Sequence, residues 1–165
     1  MTFFLQALRL DQEMRDEKGI AACYSYLAEV ARLSGDLDAS EEYTEKAIKK
    51  AQEIGWIRSE AYNQLCLAQI EIAREPTQLK KAQELCQVAL DVGRAWKDKR
   101  LMAHAMTLNA RLEYLDGKLE SASVSIQSAL HLYSRLSLQR NEMYIQEAHK
   151  LQEQIQRALR RKLYE

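Results

Sequence analysis

The chain repeats itself, and a period near 40 residues restricts it to a stack of similar supersecondary units. Ala7, Ala47, Ala89 and Ala129 stand 40, 42 and 40 residues apart, each followed by an aliphatic residue, Leu8, Ile48, Leu90 or Leu130. Met14, Ile54, Trp96 and Leu136 keep the same spacing, as do Lys18, Arg58, Arg100 and Arg140, and Ala21, Ala61, Ala103 and Met143. Ala28, Ala68 and Ala110 form a second alanine series, and Leu37, Leu79 and Leu119 a further column. Several independent columns at one spacing specify a repeat rather than a compositional accident.

Within each unit the apolar residues recur at helical intervals. Five glycines and one proline among 165 residues are too few for the turns of a β-sandwich or barrel. The pattern predicts eight helices, over 2–14, 18–34, 37–54, 57–74, 78–95, 98–116, 119–136 and 140–162. Gly35 and Gly117 fall where a helix end needs a left-handed residue, and Gly55 does so at the end of a second helix. In the middle unit Glu75-Pro76-Thr77-Gln78 replaces the glycine turn, which accounts for the spacing of 42.

These small-residue columns resemble tetratricopeptide repeats. The first unit has Ala28, Gly35, Ser40 and Ala47; the second Ala68, Pro76, Ala82 and Ala89; the third Ala110, Gly117, Ala122 and Ala129. Small side chains let paired helix axes approach closely. The long unit is similar to the extended-helix branch of the family, found in kinesin light chains and in bacterial signalling regulators. The resemblance implies an all-α, right-handed superhelical solenoid of antiparallel helix pairs. It divides the chain into a half repeat at 1–17, repeats at 18–56, 57–97 and 98–138, and a capping helix at 139–165. The family's opening tryptophan is absent from every unit. Lys150 replaces the alanine of the second series, so stacking is expected to stop there. The polar, basic tail with Arg157, Arg160, Arg161 and Lys162 fits a solvated cap. The first helix lacks its partner, which suggests either a piece of a longer repeat protein or an open edge; exposed Phe3 and Phe4 would serve a homodimer.

The resemblance places the first helix of each pair on a concave face. Tyr26, Glu29 and Arg32 lie there in the first unit, Tyr62, Cys66 and Gln69 in the second, and His104, Arg111 and Tyr114 in the third. Tyrosine and arginine are frequent interface anchors, so the groove suits a peptide or partner helix. The alternative is that the tyrosines pack between units with hydroxyls at the rim. The positions that hold a terminal carboxylate in chaperone-binding relatives match Ser25, Leu65, Thr107 and Leu108, none able to make a charge-assisted bond to it. That function is excluded. The basic column Lys18, Arg58, Arg100 and Arg140 is a second candidate surface; the plainer reading pairs these bases with Glu17, Glu60, Asp98 and Glu142.

Catalysis finds little support. No glycine-rich phosphate loop, G-x-S-x-G elbow or H-E-x-x-H pair is present. Glu71 and Glu113 share a column and are expected to pair with neighbouring helices. His104, His131 and His149 are scattered, and Cys23, Cys66 and Cys86 include no C-x-x-C pair, so no metal or cofactor is expected. The cysteines read as small core residues in a reducing compartment. Twenty-four basic against 24 acidic residues remove the simplest case for nucleic acid. The first ten residues do not read as a signal peptide, and no stretch approaches a membrane span, which points to the cytoplasm. The expected function is a non-enzymatic scaffold for protein–protein interaction. The rivals are an effector-sensing arm of a larger bacterial signalling or transcription regulator, and a self-assembling module.

Overall fold

The computed structural model describes residues 1–74, 78–136 and 142–163. Among these residues there are eight α-helices and no strands: α1 (Thr2–Met14), α2 (Glu17–Leu33), α3 (Leu37–Glu53), α4 (Ile57–Ala73), α5 (Leu79–Ala95), α6 (Lys99–Leu115), α7 (Leu119–Tyr133) and α8 (Glu142–Lys162). Consecutive helices pack in antiparallel pairs, the architecture of a helical repeat. The repeat columns set the helix starts: Leu37, Leu79 and Leu119 are the first residues of α3, α5 and α7. The expected corner at Glu75-Pro76-Thr77 and the expected column member Arg140 lie outside the described residues.

One corner design recurs. Arg15, Gly35, Gly55, Lys97 and Gly117 each take a left-handed conformation, with φ of 56, 83, 65, 53 and 74°. After each, the next residue's N–H reaches back to a carbonyl of the last helical turn: Asp16 to Asp11, Asp36 to Ala31, Trp56 to Ala51, Asp98 to Gly93 and Lys118 to Glu113, at 2.7 to 3.0 Å. This closes the helix end as a Schellman turn. The same residue then starts the next helix. The Asp16 carboxylate accepts from the N–H groups of Lys18 and Gly19, that of Asp36 from Ala39, and that of Asp98 from Arg100 and Leu101. Trp56 and Lys118 occupy the equivalent place without a side-chain cap. Arg15 and Lys97 stand in the column of Gly55, so two side chains bear a backbone geometry that suits glycine.

The chain divides into two compact units, Met1–Lys81 and Ala82–Glu165. In the first, α1 packs on α2, α2 on α3, and α3 on α4. Leu8, Ile20, Cys23 and Leu27 form a core, with Phe4, Ala7, Tyr24 and Tyr43 packed around it. Ala28, Ala47, Ala51, Ala61 and Ala68 are fully or almost fully buried, as close helix approach requires. Where α1 meets α2, the carboxylate of Asp11 lies directly over Gly19 and accepts a hydrogen bond from the Cys23 thiol at 3.2 Å. A β-carbon at position 19 would meet Asp11 Cγ at 2.6 Å. Phe4 is half-buried against this core and stacks on Tyr26, so the expectation that both Phe3 and Phe4 are exposed holds for Phe3 alone.

In the second unit α6 packs on α7, and α8 on α7 and α6. Ala103, Ala110, Ala122, Ile126, Ala129, Tyr133, Ala148, Leu151 and Ile155 make its core. Lys150, at the column of the buried alanines, is exposed. α7 ends at Tyr133, three residues before the expected Leu136, because the chain tightens there: the N–H groups of Arg135 and Leu136 bond the carbonyls of Leu132 and Tyr133.

Candidate functional site

In the first unit the expected contact residues lie on α2 and α4. Tyr26, Glu29 and Arg32 are three residues apart, so they share one side of α2. Tyr26 is 55% exposed, and its ring stacks on Phe4 at 5.0 Å between centroids. The Arg32 guanidinium donates two hydrogen bonds to the Glu29 carboxylate, at 2.7 and 2.9 Å. This bidentate pair holds both side chains in one geometry. Tyr62, Cys66 and Gln69 form a stripe on α4, each half-buried. Thr44 of α3 donates a hydrogen bond to Cys66 Sγ at 3.4 Å. Burial pushes the Cys66 thiol up, and the charges of Glu29 and Arg32 act on it in opposite senses, so α2 and α4 bring these three residues together. The result is a strip of half-buried aromatic, thiol and amide groups beside a preformed ion pair, with Tyr26 projecting at one side.

In the second unit His104, Arg111 and Tyr114 share one side of α6. Their surroundings differ. The His104 ring packs on Tyr144 of α8 at 4.0 Å and on Tyr133 of α7 at 5.8 Å. Burial and the nearby Arg100 cation lower its pKa to about 4, with Asp98 opposing, so the imidazole is neutral near pH 7. Tyr114 packs against the core and Arg111 is half-buried. His104 therefore has a packing role within this unit.

The carboxylates beside the basic column make the following contacts. Glu17 pairs with Lys50 of α3 at 2.8 Å, Glu60 accepts from Gln52, Asp98 caps α6, and Glu142 accepts from Gln146. Lys18 and Arg58 are exposed, and Arg100 is half-buried. Glu71 and Glu113 do meet neighbouring helices, as expected: Glu71, 1% exposed, accepts from Lys81 of α5, and Glu113 accepts from Ser121 of α7 at 2.6 Å. The hydroxyls of Ser25 and Thr107 donate to carbonyls of their own helices, while Leu65 and Leu108 are buried.

Cys23 and Cys86 are buried and Cys66 half-buried, and all three are free thiols. Burial, then the hydrogen bond to Asp11, pushes Cys23 up to about 11; burial alone pushes Cys86 up to about 12. Thiols held protonated in this way are poor nucleophiles. Among the described residues no group of three or more His, Cys, Asp or Glu side chains is placed to hold a metal ion, and no helix is long and apolar enough to cross a membrane.

Two arrangements escaped the sequence reading. The Tyr144–His104 stack pairs residues 40 apart, and no column marks it because Gln64 and His104, with Tyr24 and Tyr144, vary freely at these places. The Asp11–Gly19–Cys23 contact had a legible trace: Asp11 is a charged residue in the column of buried Ala51. No protein-family model matches the chain, and no curated protein matches it.

Proposed function

We propose that this chain is a tetratricopeptide-like, non-enzymatic interaction module that takes a peptide or partner helix along the side formed by the first helix of each pair. One observation carries the reading. On α2 and α4 of the first unit, exposed Tyr26, the rigid Glu29–Arg32 pair and half-buried Tyr62, Cys66 and Gln69 gather on adjoining helices. An aromatic group beside a fixed ion pair offers apolar area and directional hydrogen bonding at small entropic cost. Arg111 and Tyr114 offer similar chemistry on α6 in the second unit.

The test uses the paired variant Tyr62→Ala with Arg111→Ala. Affinity capture from native lysate, read by mass spectrometry beside the parent chain, should recover a partner with the parent alone. Circular dichroism should show equal helix content in both. The same catch from parent and variant would place the contact elsewhere, and a catch from neither would refute a role in stable protein binding.

A further inference from the structure

Two surfaces that the sequence offers separately meet on one strip of the first unit. Lys18, Ala22, Tyr26, Glu29 and Leu33 follow one another along α2 at intervals of four, four, three and four, so they share one side of that helix. Arg58, Tyr62, Cys66 and Gln69 keep the matching intervals along α4. The basic column therefore forms one end of the strip that the tyrosines occupy. Lys18 and Arg58 are exposed, as are Tyr26 and, at 60%, Leu33; Ala22, Tyr62, Cys66 and Gln69 are half-buried. Along the two helices the strip runs from cations, over tyrosines and small side chains, past the Glu29–Arg32 pair, to Leu33.

The carboxylates near the basic end are engaged beside the strip. Asp16 accepts from the backbone N–H groups of Lys18 and Gly19, Glu17 pairs with Lys50 of α3, and Glu60 accepts from Gln52 of α3. Glu29 is matched by Arg32. The strip is thus net positive, on a unit in which 14 acidic residues outnumber 11 basic ones. Helix stability does not account for the bases. Lys18, Arg58 and Arg100 are each the second residue of their helix, where the dipole disfavours a cation.

We propose, resting on the interaction role already given to this side of the first unit, that the strip takes an acidic peptide segment. Its carboxylates meet Lys18 and Arg58, and an aromatic or aliphatic side chain lies beside Tyr26. Positions 18 and 26 are about 12 Å apart along α2. Three or four residues of extended chain span that distance. A basic segment would be repelled at the cationic end, and a wholly apolar one would cover two cations with no carboxylate to meet them. Exposed ion pairs are individually weak, so the two bases set the choice of partner more than its affinity.

The probe is a phage-displayed library of random short peptides, selected on the 165-residue chain at low salt. It should enrich sequences with Asp or Glu a few residues from an aromatic or aliphatic side chain. Synthetic, fluorophore-labelled copies should bind the parent chain in fluorescence polarisation. Lys18→Gln with Arg58→Gln should raise the dissociation constant at least about fivefold, and Lys18→Gln alone by part of that. Added salt should weaken the parent more than the double variant. Helix content should be equal in all three proteins, because both positions are exposed. Enriched peptides without acidic residues, or peptides that the double variant binds as well, would overturn the acidic partner and leave the groove reading standing. No enriched peptide that Tyr26→Ala or Tyr62→Ala weakens would overturn both. Sedimentation equilibrium should show a monomer; a dimer that Lys18→Gln with Arg58→Gln dissolves would overturn the proposal by seating a second copy on the strip.

Discussion

Gly19→Ala tests the packing of α1 on α2 with a change of sign. Alanine in a helix interior is favoured over glycine by about 1 kcal/mol. Gly19 is the third residue of α2, and propensity alone would make the variant more stable. The structure opposes this. The new β-carbon would lie 2.6 Å from Asp11 Cγ and 2.8 Å from both carboxylate oxygens, so Asp11 must move and give up its bond from Cys23. The carboxylate is the movable end of a side chain, so the cost is that of losing a hydrogen bond to a charged group, about 1.5–3 kcal/mol. The balance is a loss of about 1 kcal/mol, or roughly 2–4 °C in melting temperature for a chain of this size. In an Asp11→Ala background the obstacle is gone, and position 11 resembles buried Ala51 of the next unit. There Gly19→Ala should gain about 1 kcal/mol, giving a coupling of about 2 kcal/mol between the two sites. Urea denaturation of the four proteins, followed by circular dichroism, measures the cycle. A stabilising Gly19→Ala in the parent, or a coupling near zero, would refute the close contact.

Further outcomes follow from the corners and from His104. Gly55→Ala should cost about 1 kcal/mol, whereas Lys97→Gly in the equivalent place should gain about 0.5 kcal/mol by relieving the left-handed strain; thermal melts of both decide it, and equal signs would be wrong. Lys118→Asn should supply the cap that Asp36 gives α3, gaining about 0.5–1 kcal/mol in urea titrations. His104 has a folded pKa of about 4 against an ordinary 6.5, so its contribution is complete above pH 6.5 and is lost as pH falls towards 4. The parent should lose up to about 3 kcal/mol across that window, and His104→Phe should flatten that part of the pH–stability curve.

The columns of alanine and leucine made the fold readable because the repeat forces equal packing at equal positions. Ala28, Ala68 and Ala110 had to be small wherever two helices meet, and the helix starts followed from Leu37, Leu79 and Leu119. What the columns conceal is compensation between neighbours. Asp11 is tolerated in the place of buried Ala51 because Gly19 makes room for it, and Arg15 and Lys97 are tolerated in the place of Gly55 because the turn's hydrogen bonds outweigh their strain. The contact residues were less legible. Tyr26 and the Glu29–Arg32 pair lie on one side of α2 as their spacing implied, but His104 sits beneath Tyr144. Spacing places a residue on a side of its helix. It does not reveal which long side chain of a neighbouring helix will cover it.

The five shared corners also set what the gene can tolerate. In each, the residue that closes one helix is followed at once by the residue that opens the next, with no spare link between them. A one-codon insertion at such a joint has no slack to absorb it, and would turn every residue of the following helix by about 100° about its axis. Apolar sides would then point outward for the rest of that helix. Whole units can be duplicated, because a cut at one corner matches a cut at the equivalent corner of the next unit, Arg15 with Gly55 and Lys97. Changes of length must collect elsewhere. The two additional residues of the middle unit fall within 75–78, the stretch written without a corner glycine.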